Sequence, residues 1–168
     1  PEITSEPIEA TVCDGDDHSF SVSASGPALS YQWYKDGTVI SGASASSYQI
    51  NDCNSGDEGD YHCVVSNSCN TVNSEAATLS VDPVTEITSQ STDDEICEGE
   101  DCTFTVSANG AGLSYQWQKD GTNISGATSS QYYLTNATLS DAGDYSCDVS
   151  GDCGDNSSSL INLTVYES

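Results

Sequence analysis

Residues 30–37 read SYQWYKDG, and residues 114–121 read SYQWQKDG. The two octapeptides lie 84 positions apart in a chain of 168 residues, and they contain both of its tryptophans, Trp33 and Trp117. A motif that returns at half the chain length is typical of a duplicated unit. The sequence therefore predicts two similar domains rather than one large domain.

The repeat extends over nearly the whole chain without a gap. Residues 2–5 (EITS) return as 86–89 (EITS), and residues 59–63 (GDYHC) return as 143–147 (GDYSC). The seam is the tripeptide at residues 82–84 (DPV), which predicts domains at 1–82 and 83–168. Because so short a linker leaves little slack, we expect the domains to lie end to end with restricted bending.

Each repeat alternates apolar and polar residues with a period of two and shows no helical stripe. In the first repeat, Phe20, Val22 and Ala24 form one inward set, and Tyr31 with Trp33 forms the next. Glycine, proline and asparagine separate these short runs, as at residues 35–37 (KDG). Six to eight short strands in about 80 residues predict an all-β fold, with one two-sheet sandwich in each repeat.

Acidic residues dominate the charge. The chain has 27 aspartates and glutamates against two lysines and no arginine, for a formal net charge of −25. Phosphate backbones and anionic lipids would be repelled, so nucleic-acid binding and peripheral membrane binding are excluded as expectations. The acids can serve solubility, tolerance of high salt or capture of divalent cations such as calcium. No cofactor is expected, and no EF-hand pattern supports the calcium option.

Two motifs carry a family resemblance. Trp33 followed by residues 57–63 (DEGDYHC), and Trp117 followed by residues 141–147 (DAGDYSC), resemble I-set immunoglobulin domains. The repeated Y-Q-W-x-K-D-G is similar to tandem immunoglobulin-like domains of large secreted or surface proteins of bacteria. The resemblance implies two tandem immunoglobulin-like sandwiches, in which the hydroxyls of Tyr61 and Tyr145 bond back to the chain.

The eight cysteines divide evenly, four to each repeat, which predicts two disulfide frameworks and an extracellular location. They are Cys13, Cys53, Cys63, Cys69, Cys97, Cys102, Cys147 and Cys153. The strand B position that bonds to the strand F cysteine in antibody-type domains holds Val22 and Val106 here. The usual disulfide between strands B and F is therefore not expected.

Three arrangements of these cysteines remain open. The favoured one has the pairs Cys13–Cys53, Cys63–Cys69, Cys97–Cys102 and Cys147–Cys153. The second has the pairs Cys53–Cys63, Cys102–Cys147 and Cys13–Cys153, and it joins Cys97 to Cys69 of a neighbouring copy. In the third, four thiols per domain hold zinc, although the paired C-x-x-C spacing of zinc sites is missing.

Candidate functional residues are few. Tyr34 is replaced by Gln118 in the second repeat, so its ring is a candidate for contact with a partner. Four N-x-S/T triplets, all in the second repeat, are candidate glycosylation sites, at Asn123, Asn136, Asn156 and Asn162. His18 and His62 are replaced by Cys102 and Ser146, and no nucleophile–base spacing or phosphate loop occurs, so we do not expect an enzyme.

These observations favour an extracellular structural or adhesive protein, whose repeat unit assembles with copies of itself into a surface fibre. Residues 1–12 would pack against a neighbouring copy, by addition of a strand to an open sheet edge. The alternative is a module of a larger secreted adhesin that recognises a protein or a glycan. The expected partners are therefore the same chain, other surface proteins or glycans, with no insertion into a membrane.

Overall fold

The computed structural model describes all 168 residues, and every regular element except one short 3₁₀ helix is a β-strand. The chain divides into two units, Pro1–Asp82 and Pro83–Ser168, which are described separately below. The all-β fold is as the sequence predicts.

Domain 1 has ten short strands. They are β1 (Glu2–Ser5), β2 (Ala10–Cys13), β3 (His18–Ser21), β4 (Ser23–Ser25), β5 (Ser30–Lys35), β6 (Thr38–Val39), β7 (Ser47–Ile50), β8 (Gly59–Ser66), β9 (Thr71–Asn73) and β10 (Ala77–Asp82). One sheet has the order β2-β10-β8-β5-β6, and β9 also pairs with β8. The other face is made of the pairs β1-β4 and β3-β7. All pairs are antiparallel except β2 with β10, which is parallel.

Domain 2 repeats this topology. Its strands are β11 (Glu86–Gln90), β12 (Asp94–Cys97), β13 (Cys102–Asn109), β14 (Ser114–Lys119), β15 (Thr122–Asn123), β16 (Gln131–Leu134), β17 (Gly143–Gly151), β18 (Gly154–Ser157) and β19 (Ile161–Tyr166). The sheets have the orders β12-β19-β17-β14-β15 and β11-β13-β16, and β18 pairs with β17. The 3₁₀ helix, Leu139–Asp141, precedes β17.

The tryptophans of the repeated octapeptide lie in the middle of each core. Trp33 has no exposed surface, and its indole N–H donates to the carbonyl of Ala45 at 3.0 Å. Trp117 is likewise fully buried and donates to the carbonyl of Ser129 at 2.9 Å. Each buried ring therefore keeps a partner for its one polar atom, so its burial carries no unsatisfied donor.

The Asp-Gly pair that ends the octapeptide makes a two-residue hairpin turn. Asp36 and Gly37 have φ values of +49° and +76°, and Lys35 pairs with Thr38 across the turn. Two consecutive positive φ values are the requirement of a type I′ turn, which Asp-Gly meets at low cost. The Asp36 carboxylate also accepts the N–H of Asp60 at 2.9 Å, which ties the hairpin to β8.

Candidate functional site

The turn between β2 and β3 holds Cys13 at the C-terminal end of domain 1. The N–H of Asp14 donates to the carbonyl of Asp82, the last residue of β10, at 2.8 Å. The N–H of Asp16 donates to the carbonyl of Cys13 at 2.9 Å, and the Asp16 carboxylate accepts the N–H of Cys13 at 3.3 Å. Cys13 is therefore held in a closed turn beside the residue at which the domain ends.

The turn between β12 and β13 in domain 2 has the same hydrogen bonds. The N–H of Glu98 donates to the carbonyl of Tyr166 at 2.8 Å, and the N–H of Glu100 donates to the carbonyl of Cys97 at 3.1 Å. The Glu100 carboxylate accepts the N–H of Cys97 at 2.7 Å. Cys97 thus occupies the position of Cys13, at the C-terminal end of domain 2, and its side chain is exposed.

The hairpin tip between β8 and β9 holds Cys69. The ladder closes at Ser66 and Thr71, and the N–H of Asn67 donates to the carbonyl of Asn70 at 3.1 Å. The side-chain oxygen of Asn67 accepts the N–H of Cys69 at 2.9 Å. The Asn67 amide donates to the carbonyl of Pro27 at 3.3 Å, in the turn that packs beside Pro1. Cys69 is therefore exposed at the N-terminal end of domain 1.

The equivalent tip of domain 2 lies between β17 and β18. Gly151 pairs with Gly154, which leaves Asp152 and Cys153 as the two residues of the turn. The N–H of Thr85 donates to the carbonyl of Cys153 at 3.1 Å. Cys153 therefore lies at the N-terminal end of domain 2, beside the residues with which that domain begins.

The oxidation state of the cysteines differs from the expected four disulfides. Cys13 and Cys153 are disulfide-bonded. The remaining six are thiols, namely Cys53, Cys63, Cys69, Cys97, Cys102 and Cys147. The favoured set of four pairs is therefore absent from the structure, and so are the Cys53–Cys63 and Cys102–Cys147 pairs of the second arrangement.

Side-chain direction explains why the favoured pairs do not form. Cys63 has no exposed surface, whereas Cys69 is exposed at the hairpin tip beyond three further pairs of the β8–β9 ladder. The backbones of Gly15 and Cys53 are hydrogen-bonded at 2.7 Å, but the Cys53 side chain is fully buried. The turn that carries Cys13 is therefore close to Cys53 in backbone only.

Cys97 and Cys102 also point to different environments. Because side chains alternate along a strand, Cys97 is exposed where its neighbour Ile96 is buried. Cys102 is buried, and its thiol donates to the carboxylate of Asp94 at 3.4 Å. Burial and the hydrogen bond to Asp94 raise the pKa of the Cys102 thiol to about 11, while burial raises that of Cys147 to about 11. Both therefore stay protonated and unreactive at neutral pH.

The tyrosine hydroxyls bond back to the chain in both domains. The Tyr61 hydroxyl donates to the carbonyl of Asp57 at 2.6 Å, and the Tyr145 hydroxyl donates to the carbonyl of Asp141 at 2.8 Å. Phe20 stacks on Tyr61 with ring centroids 4.8 Å apart. These residues position the start of β8 and β17, so their role is in the fold.

Tyr34 is half-buried on the outer face of domain 1, and its ring stacks on His62 with centroids 5.1 Å apart and planes 10° apart. Sequence reasoning missed His62 as a partner, although it faces Tyr34 across the β5–β8 ladder. In domain 2, Gln118 replaces the tyrosine and donates to the carboxylate of Asp148 at 2.8 Å. The flat aromatic surface therefore exists on domain 1 alone.

The candidate glycosylation sites are accessible. The side chains of Asn123, Asn136 and Asn162 are exposed, and that of Asn156 is half-buried. The amide of Asn162 donates to the carboxylate of Asp144 at 2.8 Å. A glycan on Asn162 would compete with that bond.

The acidic turns use their carboxylates to hold backbone. Asp17 accepts the N–H of Asp52 at 3.0 Å, and Asp101 accepts the N–H of Asn136 at 2.8 Å. The first bond connects the turn after β2 to the segment after β7, and the second connects the turn after β12 to the segment after β16. No group of three or more histidine, cysteine, aspartate or glutamate side chains is placed to hold a metal ion.

Family models identify both repeats. The immunoglobulin domain family matches residues 1–67 and residues 84–165. Both halves of the chain are therefore immunoglobulin domains, and the chain belongs to that family. No helix in the structure is long and apolar enough to cross a membrane.

Similar proteins come from muscle and from cell surfaces. The muscle M-line assembly protein unc-89 of Caenorhabditis elegans is 33% identical over 188 aligned residues, covering 98% of this chain and 2% of that protein. The I-band fragment I67–I69 of titin has a TM-score of 0.79 at 20% identity, covering 98% of this chain and 65% of that one. Extracellular domains 3–5 of Drosophila OTK have a TM-score of 0.70 at 19% identity, covering 98% and 61%.

The solved structures show the fold. The relatives are eukaryotic, so they give no support to the bacterial origin that the sequence motifs suggested. The chain spans about 2% of the curated relative that it matches, and about two thirds of the titin and OTK structures.

Proposed function

We propose that this chain is a structural unit of an extracellular fibre, in which copies associate end to end. The support begins with the duplication itself. The turn of Cys13 lies at the C-terminal end of domain 1, and the turn of Cys97 lies at the equivalent end of domain 2. The hairpin tips of Cys69 and Cys153 lie at the N-terminal ends of domains 1 and 2. In the proposed association, copies meet through these two kinds of element.

The observation that carries the proposal is Tyr166. It lies opposite Cys97 in the β12–β19 ladder, at the C-terminal end of domain 2, and its side chain is 51% exposed. The equivalent residue of domain 1 is Asp82, which pairs with Cys13 and continues into the linker. An exposed aromatic ring at this end supplies apolar area for a contact with another copy.

Charge sets the conditions for this association. With a net charge of −25 on each copy, like-charge repulsion opposes contact at low ionic strength. The Debye length falls from about 30 Å at 0.01 M salt to about 3 Å at 1 M, so repulsion between copies fades with added salt. Association is therefore expected to strengthen as the salt concentration rises, and calcium is expected to act at lower concentration than sodium.

An extracellular location is supported by the oxidised state of Cys13 and Cys153, since disulfides persist chiefly outside the reducing cytosol. The OTK relative is itself described by its extracellular domains. In the proposed role the partners are proteins, and the first partner is another copy of the same chain.

Sedimentation velocity over a range of protein and salt concentrations tests the proposal. We expect species larger than the 17.5 kDa monomer to grow with both variables. Tyr166→Gln should weaken the growth, whereas the control Tyr133→Gln removes a tyrosine from β16 that is 63% exposed, against 51% for Tyr166, and should not. Monomer alone at every concentration, or equal behaviour of the two variants, would contradict the proposal.

Recognition of a ligand by domain 1 is the second candidate, and the Tyr34–His62 stack favours it. A flat pair of rings on an open sheet face is a surface on which a sugar or an aromatic side chain can stack. A glycan array and a protein-binding screen would reveal such a ligand, with Tyr34→Ala expected to abolish binding. The matched control is Gln118→Ala at the equivalent position of domain 2, which should bind normally.

A further inference from the structure

We propose that the thiol of Cys97 in one copy forms a disulfide with the thiol of Cys69 in a second copy, so that copies are covalently linked end to end. This rests on the proposed function, since it names the bond that would fix the association between copies. The equivalence of positions in the duplication carries the inference.

Four cysteine positions form two equivalent sets. Cys13 and Cys97 end strands β2 and β12, at the turns that follow. Cys69 and Cys153 lie at the hairpin tips between β8 and β9 and between β17 and β18. One member of each set, Cys13 and Cys153, is disulfide-bonded. The other member of each set, Cys97 and Cys69, is an exposed thiol. The two exposed thiols thus have the residue type and the local backbone of the two oxidised cysteines.

The local backbone at the unused positions is already formed. The turn of Cys97 has the hydrogen bonds of the turn of Cys13, including the bond from the next N–H to the end of the last strand. The tip of Cys69 is closed by the bond between Asn67 and Asn70 and by the Asn67 side chain. Neither turn needs to fold or to move out of a core for its thiol to be reached.

The positions of the two thiols make a second copy the fitting partner. Cys69 lies at the N-terminal end of domain 1, and Cys97 lies at the C-terminal end of domain 2, so the two thiols belong to opposite ends of their respective domains. A contact between unlike ends is heterologous and repeats without limit, which produces a chain of copies. The other four thiols are buried and do not compete for oxidation.

The linkage is a balanced two-electron oxidation. A low-molecular-weight disulfide such as oxidised glutathione is attacked by the thiolate of one cysteine, which gives a mixed disulfide and releases one molecule of glutathione. The thiolate of the second cysteine then attacks the protein sulfur of the mixed disulfide and releases the second glutathione. The two thiols lose two electrons and two protons, and the oxidant is reduced to two thiols.

Two single-cysteine variants, tested separately and as a mixture, give a direct test of the proposed disulfide. The chain is incubated with a glutathione redox buffer in high salt, its remaining thiols are alkylated, and it is separated without reducing agent. Wild type should give a ladder of multimers. Cys69→Ser and Cys97→Ser should each stay monomeric alone, and their mixture should form dimers and nothing larger, since each supplies one of the two thiols. Mapping of the dimer should recover a peptide that joins Cys69 to Cys97.

Several results would overturn the inference. Dimers of either single variant alone would show pairing between like cysteines, and a monomer containing the Cys69–Cys97 peptide would show pairing within one copy. Sedimentation of the Cys69→Ser, Cys97→Ser double variant separates this inference from the proposed function. If the wild type and the double variant both form larger species and the joined peptide is absent, the disulfide is contradicted and the proposed function is not. If both proteins are monomeric, the proposed function is contradicted.

Discussion

Removal of one tyrosine hydroxyl should destabilise one domain and leave the other unchanged. In Tyr145→Phe, the ring still stacks on Phe104 at 4.5 Å, but the hydrogen bond to the carbonyl of Asp141 at 2.8 Å is lost. Tyr61→Phe is the matched change in domain 1, where the lost bond is 2.6 Å long. The two variants therefore remove one polar contact each with almost no change in packing.

The size of the loss follows from what happens to the acceptor. A neutral hydrogen bond contributes a net of about 0.5–1.5 kcal/mol, whereas an acceptor left buried and unpaired costs about 1–3 kcal/mol. Asp57 and Asp141 are both half-buried at the surface, so water can reach their carbonyls after the change. We therefore expect each variant to lower the free energy of unfolding by about 1 kcal/mol. For a domain of this size that corresponds to a fall in Tm of about 4–8 °C.

Differential scanning calorimetry of the whole chain measures this loss. The transition of the altered domain should move down while the other stays within about 1 °C, and the two variants should move different transitions. Tyr34→Phe is the control, because it removes a hydroxyl from a half-buried ring on the outer face. If Tyr61→Phe and Tyr145→Phe were no less stable than Tyr34→Phe, the reasoning on the tyrosine hydroxyls would be wrong.

Three further predictions concern the thiols and one glycine. Iodoacetamide at neutral pH should alkylate Cys69 and Cys97 first, and the four buried thiols only when the protein unfolds. Peptide mass spectrometry gives the alkylation rate of each thiol, and equal rates for all six would contradict the burial of the four. The folded-state pKa of about 11 for Cys102 and Cys147 exceeds the ordinary 9.0, so their contribution to stability is complete below pH 9. The free energy of unfolding in urea should therefore fall between about pH 9 and 11, and a flat profile would contradict the prediction. Gly143→Ala should destabilise domain 2 by about 1–3 kcal/mol, because φ is +151° and a Cβ would lie 2.8 Å from the Asp120 carboxylate; an unchanged Tm would contradict this.

Much of the fold could be predicted because local chemistry and the repeat agree. The Asp-Gly dipeptide after each tryptophan strand favours the I′ turn seen at Asp36 and Gly37. Alternation along β5 places Trp33 inward, while its neighbours Gln32 and Tyr34 are only half-buried. Because the chain is duplicated, each strand and turn pattern occurs twice, and a pattern that is ambiguous in one repeat can be checked against the other. The turn dipeptide and the alternation of side chains depend only on neighbouring residues, and for that reason they could be predicted from the sequence.

The cysteine chemistry could not be predicted in the same way. Whether two cysteines can pair depends on the directions of their side chains at strand ends, and a shift of one residue reverses that direction. Cys97 and Cys102 are five residues apart, yet one is exposed and the other buried. The stack of Tyr34 on His62 was missed for a related reason, because it depends on the register between β5 and β8. Tyr166 could have been found from its alignment with Asp82, as a tyrosine in place of a charge.

Electron microscopy of the purified chain tests the proposed assembly most directly. Grids are prepared from one sample in low salt and from one in high salt with a glutathione redox buffer, each over a range of protein concentrations. The proposed assembly predicts unbranched fibres of repeating domains that lengthen with concentration in high salt. Isolated 17.5 kDa particles under every condition would contradict it.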